Sequence, residues 1–95
     1  MSRPHNPPQL KPIGRGHAAS VSRHLTEVLG GGRVGASAGG WTVQAHHDGV
    51  AVLISKHANA GEILLALQMV GYVYAVVQHP RGSTAKITHR KVSQQ

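Results

Sequence analysis

The sequence predicts an α+β fold, a two-layer sandwich in which an antiparallel sheet of two hairpins carries two helices on one face, in the order α-β-β-α-β-β. Two apolar stripes at three- and four-residue spacing alternate with two segments of period-two alternation. Each alternating segment contains a tight-turn signal, and the junctions Gly40-Trp41 and Gly71-Tyr72 hold the same place in each half. The chain therefore resembles a repeated α-β-β unit. Since a lone hairpin is marginal in water, four strands backed by two helices are needed to bury both apolar stripes.

Four of the five prolines fall at Pro4, Pro7, Pro8 and Pro12, and residues 1–16 show neither a helical nor a strand period. Proline removes backbone donors that either regular structure needs, so this stretch is expected to be a basic, flexible arm carrying Arg3, Lys11 and Arg15. Such an arm would be dispensable for stability. Residues 17–91 are expected to form a single domain and residues 92–95 a tail.

From His17 to Leu29, the side chains of Ala18, Val21, Leu25, Val28 and Leu29 lie on one stripe of a helix, with Ser20, Arg23, His24 and Glu27 opposite. Gly30, Gly31 and Gly32 then end it. The glycines at 30, 32 and 35 match a dinucleotide-binding spacing, but that site requires a strand before them and here a helix precedes.

Trp41 to Ser55 reads as a hairpin turning at Asp48-Gly49, a pair suited to a type I′ turn. That turn pairs His47 with Val50, Ala45 with Val52 and Val43 with Ile54, and gathers Trp41, Val43, Ala45, Val50, Val52 and Ile54 on the core face. Asn59 and Glu62 then make an N-terminal capping signal for a helix over 60–70, whose core stripe is Ile63, Ala66, Leu67 and Val70. Gly71 stops it. A second hairpin comes next, with a three-residue Pro80-Arg81-Gly82 loop that sets Val77 opposite Ala85 and Ala75 opposite Ile87. Val73, Ala75 and Val77 would then face the core.

Ten Lys and Arg stand against three acids, Glu27, Asp48 and Glu62, giving a formal net charge of +7 on 95 residues. An excess of this size favours a polyanionic partner, because each cation set against a phosphate releases condensed counterions. The expected function is a small DNA-binding protein, a phage, plasmid or bacterial regulator or accessory factor. Its candidate phosphate contacts are Arg3, Lys11, Arg15, His17, Arg23, His24, Arg33, Lys86, Arg90 and Lys91. RNA is the weaker polyanion, since no aromatic-rich RNA-binding strand is visible beyond Tyr72 and Tyr74.

The alternative is a homo-oligomeric interaction module, such as a phage-encoded host inhibitor or virion component, with no nucleic-acid role. Leu65 and Met69 stand off the core stripe of the second helix, and Leu53 and Val76 are expected on the sheet face away from the helices. These four are the candidate interface of a homodimer or with another protein.

Other classes find little support. Three isolated acids supply no paired carboxylates, and no serine sits in a nucleophile elbow, so no enzymatic activity is expected. The chain has eight His and no Cys, but adjacent His46 and His47 point to opposite faces of a strand and no metal-binding spacing occurs; no metal or cofactor is expected. No run approaches the roughly 18 apolar residues of a membrane span. A cytoplasmic location is expected, in keeping with the absence of Cys.

Overall fold

The computed structural model describes residues 9–29 and 40–92; Arg3, Arg33, the glycine run at 30–32 and the expected tail lie outside them, apart from Val92. Over these residues the chain forms strand β1 (Gln9–Pro12), a 3-10 turn (Arg15–His17), helix α1 (Ala18–Leu29), strands β2 (Trp41–His46) and β3 (Gly49–Ser55), helix α2 (Ala60–Met69), and strands β4 (Tyr72–His79) and β5 (Gly82–Val92). It is a small α+β fold with one antiparallel five-stranded sheet and two α-helices.

The sheet is organised around β5. One edge of this strand pairs with β4; the other pairs with β3 through Gly82–Ile87 and then with β1 through His89–Val92. The β3–β5 ladder therefore joins the two hairpins within a single chain. β2 lies beyond β3, so β1, β2 and β4, each with one ladder partner among the described residues, are the outer strands.

The expected element order lacked β1. Part of the supposed arm adds to the sheet, with Lys11 opposite Arg90 and Leu10 opposite Lys91, and Ile13 enters the core at 4 % exposure while its N–H donates to the Thr88 carbonyl. Pro12 is tolerated because β1 is only four residues long and Pro12 is its last. The signal was masked by the prolines around it.

The core is one cluster of apolar side chains. Val21 and Leu25 from α1 and Ile63, Ala66 and Leu67 from α2 meet Trp41, Val43, Val50, Val52, Ile54, Tyr72, Ala85 and Ile87 from alternate strand positions. The helix stripes follow the expected spacing, although Val28 stays exposed. Asn59 caps α2, its Oδ1 accepting from the Glu62 N–H at 3.2 Å, and Gly71 ends the helix with φ +86.

Both hairpins depart from their expected registers. In β2–β3 the turn is His47-Asp48, so His46 faces Gly49, Val43 faces Val52 and Trp41 faces Ile54. Neither turn residue has positive φ, which excludes a type I′ turn. Gly49 serves a different need: it has φ +155, and a Cβ there would run into the Ile87 carbonyl of β5. The pairing moves by two residues, an even number, so the same side chains face the core.

In β4–β5 the shift is by one residue, and it exchanges the faces of β4. The connection is Pro80-Arg81, with His79 opposite Gly82, Val76 opposite Ala85 and Tyr74 opposite Ile87. Gly82 is needed because a Cβ there would strike the Ile54 carbonyl. Tyr72 and Tyr74 thus turn to the core side, while Val73, Ala75 and Val77 take the other face. Two aromatic rings bury more apolar area than Val73 and Ala75 would. Each also satisfies its polar end or face: Gln68 Nε2 donates to Tyr74 Oη at 2.7 Å, and the Arg90 guanidinium lies 5.5 Å from the Tyr72 ring centroid. A bulge at Thr88 restores the offset at the strand's far end, where Val73 faces His89 and Tyr72 faces Arg90.

These contacts make the β1 segment part of the stability of the domain. Ile13→Ala should cost about 2–5 kcal/mol, the usual range for emptying a buried Ile site, and deleting residues 1–14 should cost more because the β1 ladder goes too. Thermal unfolding monitored by circular dichroism checks both. An unchanged transition after the deletion would return this segment to the role of a dispensable arm.

Candidate nucleic-acid interface

The β1–β5 ladder gathers basic residues that are some eighty positions apart in sequence. Lys11 and Arg90 are direct cross-strand partners, Lys91 is the next residue of β5, and His89 faces Pro12. Two residues beyond Ile13, Arg15 and His17 sit exposed on the 3-10 turn, where His17 Nδ1 accepts from the Gly14 N–H at 3.3 Å. None of the three acids lies on these elements: Glu27 is on α1, Asp48 on the β2–β3 turn and Glu62 in the first turn of α2. Like charges opposite one another on a ladder are unfavourable, so the Lys11–Arg90 pair is a cost the fold carries without a neutralising carboxylate on either strand.

Arg90 also has a structural task. The last carbonyls of a helix lack partners within it, and Arg90 Nε donates to the Val70 carbonyl at 3.0 Å while its guanidinium covers Tyr72. His24 does a similar thing from α1: its Nε2 donates to the Ala66 carbonyl at 2.7 Å. That bond ties the two helices together and leaves the half-buried His24 with one ring nitrogen for any other contact. Arg23 stands exposed on α1.

Lys86 lies apart from the end cluster, on the sheet face opposite the core, between Ala51 of β3 and Ala75 of β4. Its Nζ is 3.0 Å from Asp48 Oδ1, the one ion pair among the described residues. The hydrogen bond from Lys86 holds the Asp48 carboxyl below its ordinary value, and the charges of Lys86 and His47 add to this. Among the candidates, then, the ladder brings Lys11, Arg90 and Lys91 to one end of the sheet, Lys11 and Arg90 on one face and Lys91 on the other. Arg15 and His17 follow on the turn, which packs against β2 and β3; Lys86, Arg23 and His24 are placed separately, and Arg3 and Arg33 are outside the described residues.

A second basic end escaped the sequence reading. The β3–β5 ladder sets the loops after β3 and before β5 side by side, with the Lys56 N–H donating to the Arg81 carbonyl at 3.1 Å. His57 and His79 flank them, His79 Nε2 lying 3.1 Å from Thr84 Oγ1. Only the pairing between hairpins brings these groups together, and no local pattern announces it. Lys91 lies nine positions along β5 from Gly82, so the two basic ends are roughly 30 Å apart at about 3.3 Å per strand residue.

The candidate interface residues do not share one surface. Leu65 and Met69, 59 % and 65 % exposed, line a groove on the helices with Val28, Leu29 and Glu62. Leu53 is half-buried on the opposite sheet face, near Thr42 and Arg81. Val76, expected to point away from the core, is on the core side of β4 because of the register shift, yet stays 39 % exposed.

Comparison with family models, curated proteins and solved structures finds no match to this chain. Among the described residues no three His, Cys, Asp or Glu side chains are grouped to hold a metal ion, and no helix is long and apolar enough to cross a membrane.

The Asp48–Lys86 pair gives a signed pH prediction. A depressed folded-state value means that the pair's contribution is present above the unfolded carboxylate value of about 3.9 and is lost as pH falls through the lower folded value. Asp48→Asn should therefore lower stability slightly at neutral pH, the small effect expected for an exposed pair, and remove that same amount from the acid limb of a stability–pH curve, so that the two proteins converge at low pH. Identical acid limbs for the two proteins would show that the pair does not form in solution.

Proposed function

We propose that this chain is a small DNA-binding protein, a regulator or accessory factor, that grips phosphates through Lys11, Arg15, Arg90 and Lys91 at one end of its sheet, with Arg23 on α1 and Lys86 on the uncovered sheet face as further contacts. The observation that carries the reading is the gathering of Lys11, Arg90 and Lys91 at the β1–β5 end of the sheet, with no acid on either strand or on the turn that carries Arg15. A net charge of +7 makes the attraction long-ranged. Lys56 and Arg81 add a second anchoring point, and a backbone run of roughly 30 Å would span both. The helices and sheet are read as a two-layer sandwich acting in the cytoplasm, with no catalytic role.

One observation favours a second reading, a protein–protein interaction module. Leu65, Met69 and Val28 expose apolar surface around a single groove on the helices, and exposed patches of this kind mark contact sites. Retention on duplex DNA that falls steeply with salt separates the first reading from the second.

A gel shift on mixed-sequence duplex at two salt concentrations tests the DNA reading. Replacing Lys11 and Lys91 with Ala should weaken binding on every sequence and reduce the salt slope by about two, near one unit for each lost phosphate contact. Arg90 is left in place because it also caps α2. The absence of duplex binding by the parent protein at low salt would rule out the DNA reading.

A further inference from the structure

We propose that β4 is the surface on which two copies of this chain pair edge to edge, antiparallel about a two-fold axis at Ala75, so that one sheet runs across a dimer. Assembly of this kind stands independently of nucleic-acid binding. β4 has one ladder neighbour among the described residues, β5, and its other edge presents a row of backbone N–H and C=O groups. Edge strands are usually blunted by lysine, proline or short length. β4 has none of these: it is eight residues, Tyr72–His79, without Lys, Arg, Asp, Glu or Pro, and Val76 and Val77 are 39 % and 61 % exposed. The other outer strands are shorter: β2 exposes Gln44, Ala45 and His46, and β1, four residues long, carries Lys11 and Pro12.

A second copy suits this edge better than an unrelated strand because the sequence of β4 is complementary to itself. A two-fold perpendicular to the sheet pairs residues from the same face. Centred on Ala75, it sets Ala75 against Ala75 and Val77 against Val73 on the uncovered face, and Val76 against Tyr74 on the core face. The most exposed valines thereby gain apolar partners, and Gln78 and His79 fall at the ends. Charge points the same way. Two molecules of +7 repel, and they approach with least penalty where no cation is carried; the nearest Lys to this axis, Lys86 opposite Ala75, is already paired with Asp48. The pairing closes on itself and leaves both basic ends of each copy free.

Sedimentation and a cross-link test the pairing on the full chain. The parent should sediment as a dimer at micromolar concentration. Val77→Lys, which puts an ammonium against Val73 of the second copy, should raise the dissociation constant roughly tenfold or more, whereas Leu65→Glu on the helices should leave it unchanged. The chain has no cysteine, so Ala75→Cys introduces a single thiol, and the axis would bring two of them within cross-strand distance. Oxidation should give a disulfide-linked dimer with Ala75→Cys but not with His57→Cys at the end of the sheet. A monomeric parent, a dimer that resists Val77→Lys, or a thiol at 75 that fails to cross-link would each overturn the proposal. Loss of DNA binding, by contrast, would alter none of these readouts.

Discussion

The pairing of β5 with three other strands is the constraint on which the rest of the molecule depends. Eleven residues long, β5 holds β4 on one side and both β3 and β1 on the other, so every element either pairs with it or packs on strands that do. Ala85 and Ile87 at its centre are fully buried. Backbone groups buried under the helices must find hydrogen bonds, and the ladders supply them from Gly82 to Ile87 and, past the bulge at Thr88, from His89 to Val92. Two close approaches make this possible. Gly49 lies against the Ile87 carbonyl and Gly82 against the Ile54 carbonyl, and neither place has room for a side chain.

The fold repeats itself around this strand. Gly40 and Gly71 both have positive φ near +85, both accept through their carbonyls from the strand that closes their hairpin, and both are followed by a buried aromatic residue, Trp41 or Tyr72. Beyond those aromatics the two halves diverge: the first hairpin stays regular, whereas the second takes a bulge at Thr88 that lets β5 continue past β3 and accept β1. That extension creates the concentrated charge at one end of the sheet. Its basic residues are built into the fold as well as displayed on it, since Arg90 closes the end of α2 and covers Tyr72, and His24 bridges the helices. Binding and stability are thus coupled in Arg90, while Lys11 and Lys91 remain exposed side chains whose charge is separable from folding.

Sequence by itself determined the α+β class, the two helices with their apolar stripes, the existence of both hairpins, the core face of the first, and the excess of positive charge. These features are encoded by neighbours within a few positions: i, i+3 and i+4 spacing, strict alternation, and the caps at Asn59 and Gly71. What the tertiary structure decided involves partners far apart in the chain. Asp48-Gly49 and Pro80-Arg81-Gly82 carry turn chemistry in the sequence, but Gly49 and Gly82 answer to the crossing strand, which no local pattern contains. The face of β4 turned on whether Tyr72 and Tyr74 or Val73 and Ala75 gain more from burial against helix α2, and a one-residue slip settles that wholesale. The strand at Gln9–Pro12 was hidden because its stability comes from β5 and from Ile13 in the core, not from its own proline-flanked composition. For the same reason the grouping of Lys11 with Arg90 and Lys91, and of Lys56 with Arg81, emerged only once the ladders were known: charge is counted along a sequence, but its concentration is set by which strands lie side by side.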